Sequence, residues 1–320
     1  MTKHQKGMLC CICAGASWGF AGVCGQFLFD QRFWNVDFII PIRILSAGLI
    51  LLLVALKLEG RDGFRRLFGQ RRNVRDMVIF GILGIGLCQY AYYTTISAAN
   101  ATTATVLCYL GPVMIILWQA LRFRRPPSGR ETLAVAVAVA GTFLLATHGD
   151  PTSLAISVRA LFWGLVSAFS QALYSVQPQR LTSACGTLTA TSCGMILAGV
   201  LLCLLRQPWA HAEGVFDLPA WLAFAMVVLL GSVLCFAMYF TGVLLIGPEK
   251  AGILSATEPM VSALLSVFWL HVPFRPMDYV GFVLVVSTIF ILGIAPRKKE
   301  ASADSAALTE EPPAETESLN

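Results

Sequence analysis

Glu258 is the one carboxylate set well inside an apolar run of this 320-residue chain, and Pro259 follows it. Holding an ionised carboxylate at the centre of a bilayer costs about 2.5–3.5 kcal/mol on the insertion scale. Such a group must be protonated, paired or wetted. It can then exchange a proton or hold an ammonium group, or it can serve as a neutral acid bonded to a neighbouring helix. Pro112 and Pro259 each sit in an apolar run, where a missing N–H frees a carbonyl and favours a kink. A freed carbonyl can bind an ammonium group, and a kink can simply shape a bundle.

Larger polar side chains recur around these positions at helical spacing. One stripe is Trp163, Ser167, Ser170, Gln171, Tyr174 and Gln177. Others are Thr102, Thr105, Tyr109, Pro112 and Gln119, then Gln89, Tyr92 and Tyr93, then Ser255, Glu258, Ser262 and Ser266. Polar groups facing lipid are costly, so the stripes must face either a water-filled path or neighbouring helices. The candidate path residues are Trp18, Gln89, Tyr92, Tyr109, Pro112, Trp163, Gln171, Tyr174, Tyr239, Glu258 and Pro259. Arg43 lies toward one end of its run, where it can snorkel or pair. Gly15, Gly19, Gly22 and Gly25 form a small-residue stripe suited to close helix packing.

The elements that must position these residues follow from composition. The chain is 57% hydrophobic and 13% charged, against roughly 25% charge in a soluble domain. That excludes an ordinary soluble enzyme and removes nucleic acid as the reason for the net charge of +5. At about 20 residues per crossing, ten spans are expected, at about 8–29, 36–58, 77–99, 101–121, 131–147, 157–176, 187–205, 219–246, 249–270 and 277–294. Residues 297–320 are acidic, contain Pro and hold few large apolar residues, so they are expected to be a disordered tail. The ten cysteines all lie in apolar runs, and Cys10 and Cys13 read as small apolar filler rather than a metal or redox site. No metal or other cofactor is expected.

The chain also contains one stretch twice. A shift of 147 without gaps places Gly84 on Gly231, Cys88 on Cys235, Tyr92 on Tyr239, Thr94 on Thr241 and Pro112 on Pro259. Trp18-Gly19 and Trp163-Gly164 open the two halves. The implied organisation is a first five-helix repeat over 1–147, a link over 148–156, a second repeat over 157–296 and the tail. Five spans per copy is an odd number, so the copies enter the membrane from opposite faces. The expected fold is an all-α integral membrane protein of ten transmembrane helices in two inverted five-helix repeats, an arrangement common among secondary transporters.

The stretches Ala160–Tyr174 and Gly247–Pro259, with Arg43 and Ala104–Pro112, resemble the EamA-type members of the drug/metabolite transporter superfamily. The resemblance covers about residues 8–295. It implies ten helices in a 5+5 inverted arrangement, and often export of amino acids or other small metabolites. The leading expectation is a secondary carrier with a small-molecule substrate, the lipid bilayer as surroundings and protons as a candidate coupling ion. A non-transporting sensor or scaffold is the alternative. A membrane enzyme fits less well, because His4, His148, His211 and His271 are scattered and no HExxH, GxSxG or Walker motif is present.

Charge sets the expected orientation. Of the 23 Lys and Arg, Arg32, Arg159, Arg206 and Arg275 fall on one face and Arg43 within span two, leaving 18 on the face with both termini. That face is predicted to be cytoplasmic at a cell or inner membrane. Reporter fusions should place both termini in the cytoplasm and the links at 148–157 and 206–218 outside. A terminus found outside would overturn the ten-span arrangement.

Overall fold

The computed structural model describes residues 1–123, 126–148, 150 and 156–293. The expected tail 297–320, Arg124, Arg125 and most of the link between the repeats lie outside the described residues. Every long element among the described residues is helical. The first half holds α1 (Lys3–Asp30), α2 (Val36–Leu58), α3 (Asp62–Gly69), α4 (Arg71–Ile79), α5 (Leu87–Ala98), α6 (Ala101–Cys108), α7 (Gly111–Phe123) and α8 (Gly129–Thr147). The second holds α9 (Val158–Val176), α10 (Gln179–Cys185), α11 (Thr187–Arg206), α12 (Leu218–Val228), α13 (Cys235–Ile246), α14 (Pro248–Ser255), α15 (Thr257–Phe268) and α16 (Pro276–Gly293).

Polar residues flanking the apolar runs start these helices. Thr2 and Gln5 form a capping box for α1, and Ser128 and Glu131 form another for α8. Asn35, Asn100, Ser157 and Asp217 cap α2, α6, α9 and α12 through their side chains. The Ala220 N–H and the Arg32 guanidinium hold the Asp217 carboxyl below the usual carboxylate range. Its share of stability is therefore present above that range and is lost as pH falls through the lowered value.

Among the described residues, eight helical stretches are long and apolar enough to cross a membrane. The other two expected spans are α9, which carries the polar stripe, and α16, whose apolar part is shorter. The outer surface is apolar, with Leu53, Trp118, Phe162, Leu204 and Phe268 all exposed, as a lipid-facing surface requires.

Two departures from regular helix occur in each half, at matching places. A π-helical segment at Phe80–Gly86 joins α4 to α5, and a second at Leu229–Leu234 joins α12 to α13. Gly84 and Gly231, one shift apart, lie in these segments. A short interruption, with the backbone still in the right-handed helical region, separates α6 from α7 after Cys108, and α14 from α15 after Ser255, again 147 positions apart. The sequence pattern suggested kinked, continuous helices here. Each span does run on, over Ala101–Leu121 and Lys250–Phe268, with Pro112 and Pro259 in the turn that follows the interruption.

The helices α2 and α11 form the closest antiparallel pair between the halves. Gly48 lies against Met195 and Ile196, and Gly199 against Leu45, so a side chain at either glycine would meet the opposing helix. Both ends of the pair are tied. Asp37 of α2 lies 3.6 Å from Arg206 at the end of α11. At the other end Glu59 accepts the N–H groups of Leu188 and Thr189 at 2.9 and 2.8 Å and the Thr189 hydroxyl at 2.7 Å. A carboxylate at the end of α2 opposes that helix's own dipole but matches the positive N-terminus of α11. Gly186 turns into α11 at φ +93° directly against this carboxylate.

Replacing Glu59 with Ala leaves the first N–H groups of α11 without their cap. A loss of about 1–3 kcal/mol is expected, seen as a lowered unfolding midpoint in detergent. Glu59→Gln should recover part of it, and an unchanged midpoint for the Ala variant would exclude the cap as a stabilising contact.

Candidate functional site

The break between α14 and α15 places Glu258 in the first turn of α15, where the free N–H groups of a helix start favour an acidic side chain. Tyr109 caps the end of α6 at the matching break in the first half. Its hydroxyl lies 3.0 Å from the Ser255 carbonyl and 3.2 Å from Glu258 Oε2. The two breaks therefore meet through one side chain. A phenol carries one proton, so with Glu258 ionised the Ser255 carbonyl and the carboxylate compete for it.

Helix α1 seals this junction. A Cβ on Gly15 would strike the Ser255 carbonyl, and one on Gly19 the Glu258 carbonyl. The Thr257 hydroxyl reaches back to the Ile12 carbonyl at 3.1 Å. One turn further along α1, Gly22 leaves room for the Tyr92 hydroxyl, which pairs with Thr105 Oγ1 at 2.8 Å. Of these tyrosines Tyr109 bonds Glu258 directly, and Tyr92 lies one α1 turn beyond it.

On the α9 side, Gln171 packs against Gly111 at the α6–α7 break. Its Oε1 accepts the Cys108 thiol at 2.6 Å, and the Ser167 hydroxyl donates to Cys108 Sγ at 3.1 Å. Tyr174 packs against Gly84 in the first π-helical segment. Trp18 meets Tyr239 and Phe236 at centroid distances of 5.5 and 5.6 Å, between α1 and α13.

Other expected residues are engaged elsewhere. Trp163 packs edge-on against Tyr90, whose hydroxyl donates to Asp37, at the end of the α2–α11 pair. Gln119 is exposed on the outer surface. Gln177 donates to the Asp76 carbonyl.

Gln89 serves Arg43. Arg43 is 3% exposed and does not snorkel. It donates to Gln89 Oε1 at 3.0 Å, Ser232 Oγ at 3.1 Å and the Gly231 carbonyl at 3.3 Å, and it lies 4.5 Å over the Tyr93 ring. No carboxylate lies within ion-pair distance of it among the described residues. Of its acceptors in the second half, the Val227 carbonyl, at 3.5 Å, lies just before the π-helical segment, and Gly231 and Ser232 lie in it. There the wider turn disturbs the regular carbonyl pairing, and a planar guanidinium can satisfy several acceptors at once.

Two residues that matter here were not singled out from the sequence. Cys108 was noted only as one of ten cysteines in apolar runs, yet it bonds both Gln171 and Ser167. Gln26 is 1% exposed and accepts the Ala101 N–H at 2.9 Å, holding the start of α6 against α1. The duplication carried a signal for both. Cys108 matches Ser255, and Gln26 matches Gln171 in the same register that pairs Trp18 with Trp163.

The sequence pattern of the EamA-like transporter family matches residues 5–147 and again 158–294. The chain is 38% identical over 306 residues to the uncharacterized inner membrane transporter YicL of Salmonella typhimurium, covering 95% of this chain and all of that one. It is 26% identical to the uncharacterized transporter sll1319 of Synechocystis, covering 90% and 93% of the two chains. A solved crystal structure superposes with a TM-score of 0.62 over 96% of this chain and 99% of the other at 16% identity, a likeness of fold alone.

Removing the Arg43 guanidinium should strand Gln89, Ser232 and the Gly231 carbonyl without a donor. Arg43→Met is expected to lower folded yield and the unfolding midpoint. Arg43→Lys should rescue little, because one ammonium cannot span acceptors on two helices in the same plane. Full rescue by Lys would reduce the role of Arg43 to charge alone.

Proposed function

The chain belongs to the EamA-like transporter family, and from that premise we propose that this multi-pass membrane transporter is a secondary carrier exporting amino acids or related amphipathic metabolites. The reading takes the ten-span count from the apolar runs and the cytoplasmic termini from the charge distribution, at an inner membrane. The two repeats then run in opposite directions, each bounded at about 1–147 and 157–296. Alternating access follows when two similar halves exchange conformations around a site between them.

The observation that carries this reading is the meeting of the two helix breaks at Tyr109, Ser255 and Glu258. A break frees carbonyls and N–H groups near the middle of the membrane, where a polar substrate can replace intramolecular partners. The tyrosines near Glu258 offer aromatic faces and hydroxyls to an amphipathic ligand that carries an ammonium group. Glu258 is the residue through which a proton would couple to the cycle. With the carboxyl protonated, it can donate to Tyr109, and Tyr109 can donate to Ser255. With the carboxylate free, one of the two acceptors is released for an incoming cation. Tyr92, Tyr109, Gln171 and Tyr174 would form the nearer part of the path. Trp18 and Tyr239 would lie along α1 and α13.

Uptake of a radiolabelled amino-acid mixture into vesicles holding the purified chain, with and without an imposed pH difference, tests the proposal. Wild-type uptake should rise with the gradient. Glu258→Gln keeps shape and much of the hydrogen bonding, so it should bind substrate but lose the dependence on the gradient. Gradient-driven uptake by the Gln variant at the wild-type level would remove Glu258 from coupling. Absence of any transport by wild type across a broad metabolite set would favour a sensor or scaffold.

A further inference from the structure

The stretch from the end of α2 into α4 reads in sequence as a basic loop, with Arg61, Arg65, Arg66, Arg71, Arg72 and Arg75. The structure makes it a fixed platform. Helix α3 docks through Gly63 and Leu67. A Cβ on Gly63 would strike the Cys185 carbonyl at the end of α10, and Leu67 is fully buried. Asn73, 1% exposed, donates to the Arg66 carbonyl at 2.8 Å and accepts from Arg180 at 2.9 Å. The backbone that carries the arginines is thus locked to both halves of the molecule.

The side chains on the other face have little to bind. Asp76 is taken by Arg75 and Arg180. The Arg65–Asp62 pair, at 3.6 Å with both groups about four-fifths exposed, contributes little in water. Arg61, Arg66, Arg71 and Arg72 have no carboxylate within ion-pair distance among the described residues, and all four are exposed. Phe68, 61% exposed, follows Arg61 and Arg65 at i+7 and i+3, on the same side of the helix. Helix α3 joins the end of the Val36–Leu58 span to the start of the Arg71–Ala98 span, and a connection between span ends belongs near headgroup depth.

We propose that this face is a binding site for anionic phospholipid, with Arg61, Arg65, Arg71 and Arg72 on the headgroup phosphate and Phe68 in the acyl boundary. Guanidinium groups match phosphate oxygens with paired N–H donors. Juxtamembrane arginines are attracted to anionic lipid by about 1 kcal/mol each, and an aromatic ring prefers the interface. A fixed backbone lowers the entropy lost on binding, which separates this platform from a mobile basic loop. The α3 arginines lie on the face that the charge asymmetry assigns to the cytoplasm, but binding itself does not depend on that assignment.

The test uses the full chain in phosphatidylcholine vesicles doped with spin-labelled phosphatidylglycerol or spin-labelled phosphatidylcholine. The lipid held immobile at the protein is read from the spectrum, and both leaflets are supplied equally, so orientation does not enter. Wild type should prefer the anionic label by about fivefold or more, the factor equivalent to one arginine. The combined variant Arg61→Gln, Arg65→Gln, Arg71→Gln and Arg72→Gln should lose the preference, as should wild type in about 0.5 M salt, where exposed charges are screened. Phe68→Ser should weaken it while keeping its salt dependence. Equal immobilisation of the two labels by wild type would overturn the proposal. So would a preference that survives in the combined variant or in salt. Displacement of the anionic label by inorganic phosphate would also overturn it, by marking a site for free phosphate.

Discussion

Inside a bilayer every backbone polar group must find its partner within the protein, because no water is there to supply one. This chain satisfies that constraint in an indirect way. It interrupts two helices and widens two others into π turns, and side chains from elsewhere bond the backbone at one interruption, at one π turn and at the start of α6. Tyr109 reaches the Ser255 carbonyl, Gln26 takes the Ala101 N–H, and Arg43 serves the carbonyl of Gly231. Each repair crosses between helices, and those of Tyr109 and Arg43 cross between the halves. The disturbed backbone is therefore what binds the halves together.

The repairs divide the molecule into a tied part and a less regular part. The α2–α11 pair is packed glycine to backbone along its length and held at both ends by Asp37 with Arg206 and by Glu59 on the α11 N-terminus. Its helices are unbroken. The broken helices α6–α7 and α14–α15 meet across the middle with α1 against one break and α9 against the other. A carrier needs a frame that stays together and helices that can change partners. Unbroken, end-tied helices suit the first role. Helices whose free carbonyls are held by a single side-chain hydrogen bond suit the second, since each such bond contributes only about 0.5–1.5 kcal/mol net.

Much of this was legible in the sequence, for identifiable reasons. Long apolar runs, capping residues and the proline-bearing repeat announce themselves locally, so the helical membrane class and the duplication follow from composition and register. The π segments do not announce themselves. Gly84 and Gly231 match in register, but a glycine in an apolar helix is equally compatible with plain close packing, and only the approach of Ala21 and Arg43 to Gly231 distinguishes the case. For Arg43 the sequence left snorkelling and pairing both open, for a related reason. Snorkelling is the ordinary way for a lone arginine to escape the membrane, and its acceptors sit 46 to 189 positions away. Gln119 and Gln177 shared helical spacing with path residues, yet a few degrees of rotation and the end of α9 put them outside. Cys108 was missed because a thiol donates weakly and is usually filler, while here it stands at a helix end whose counterpart, Ser255, is openly polar.

The register of the duplication also shows where the two halves differ. The position of Glu258 in the second copy is Gly111 in the first. At the second break, α1 presents Gly19 and the carboxylate fills the space near Tyr109. At the first break, the helix equivalent to α1 presents Gln171, which leans over Gly111 and takes the Cys108 thiol. The residue matched to Gln171 is Gln26, and it has moved its amide away from the centre to hold the start of α6. Two copies of one scaffold thus keep the same breaks while exchanging which helix brings the polar side chain. The frame repeats in both halves. The chemistry does not, because the acid Glu258 stands at the second interruption alone and Gly111 holds its place at the first.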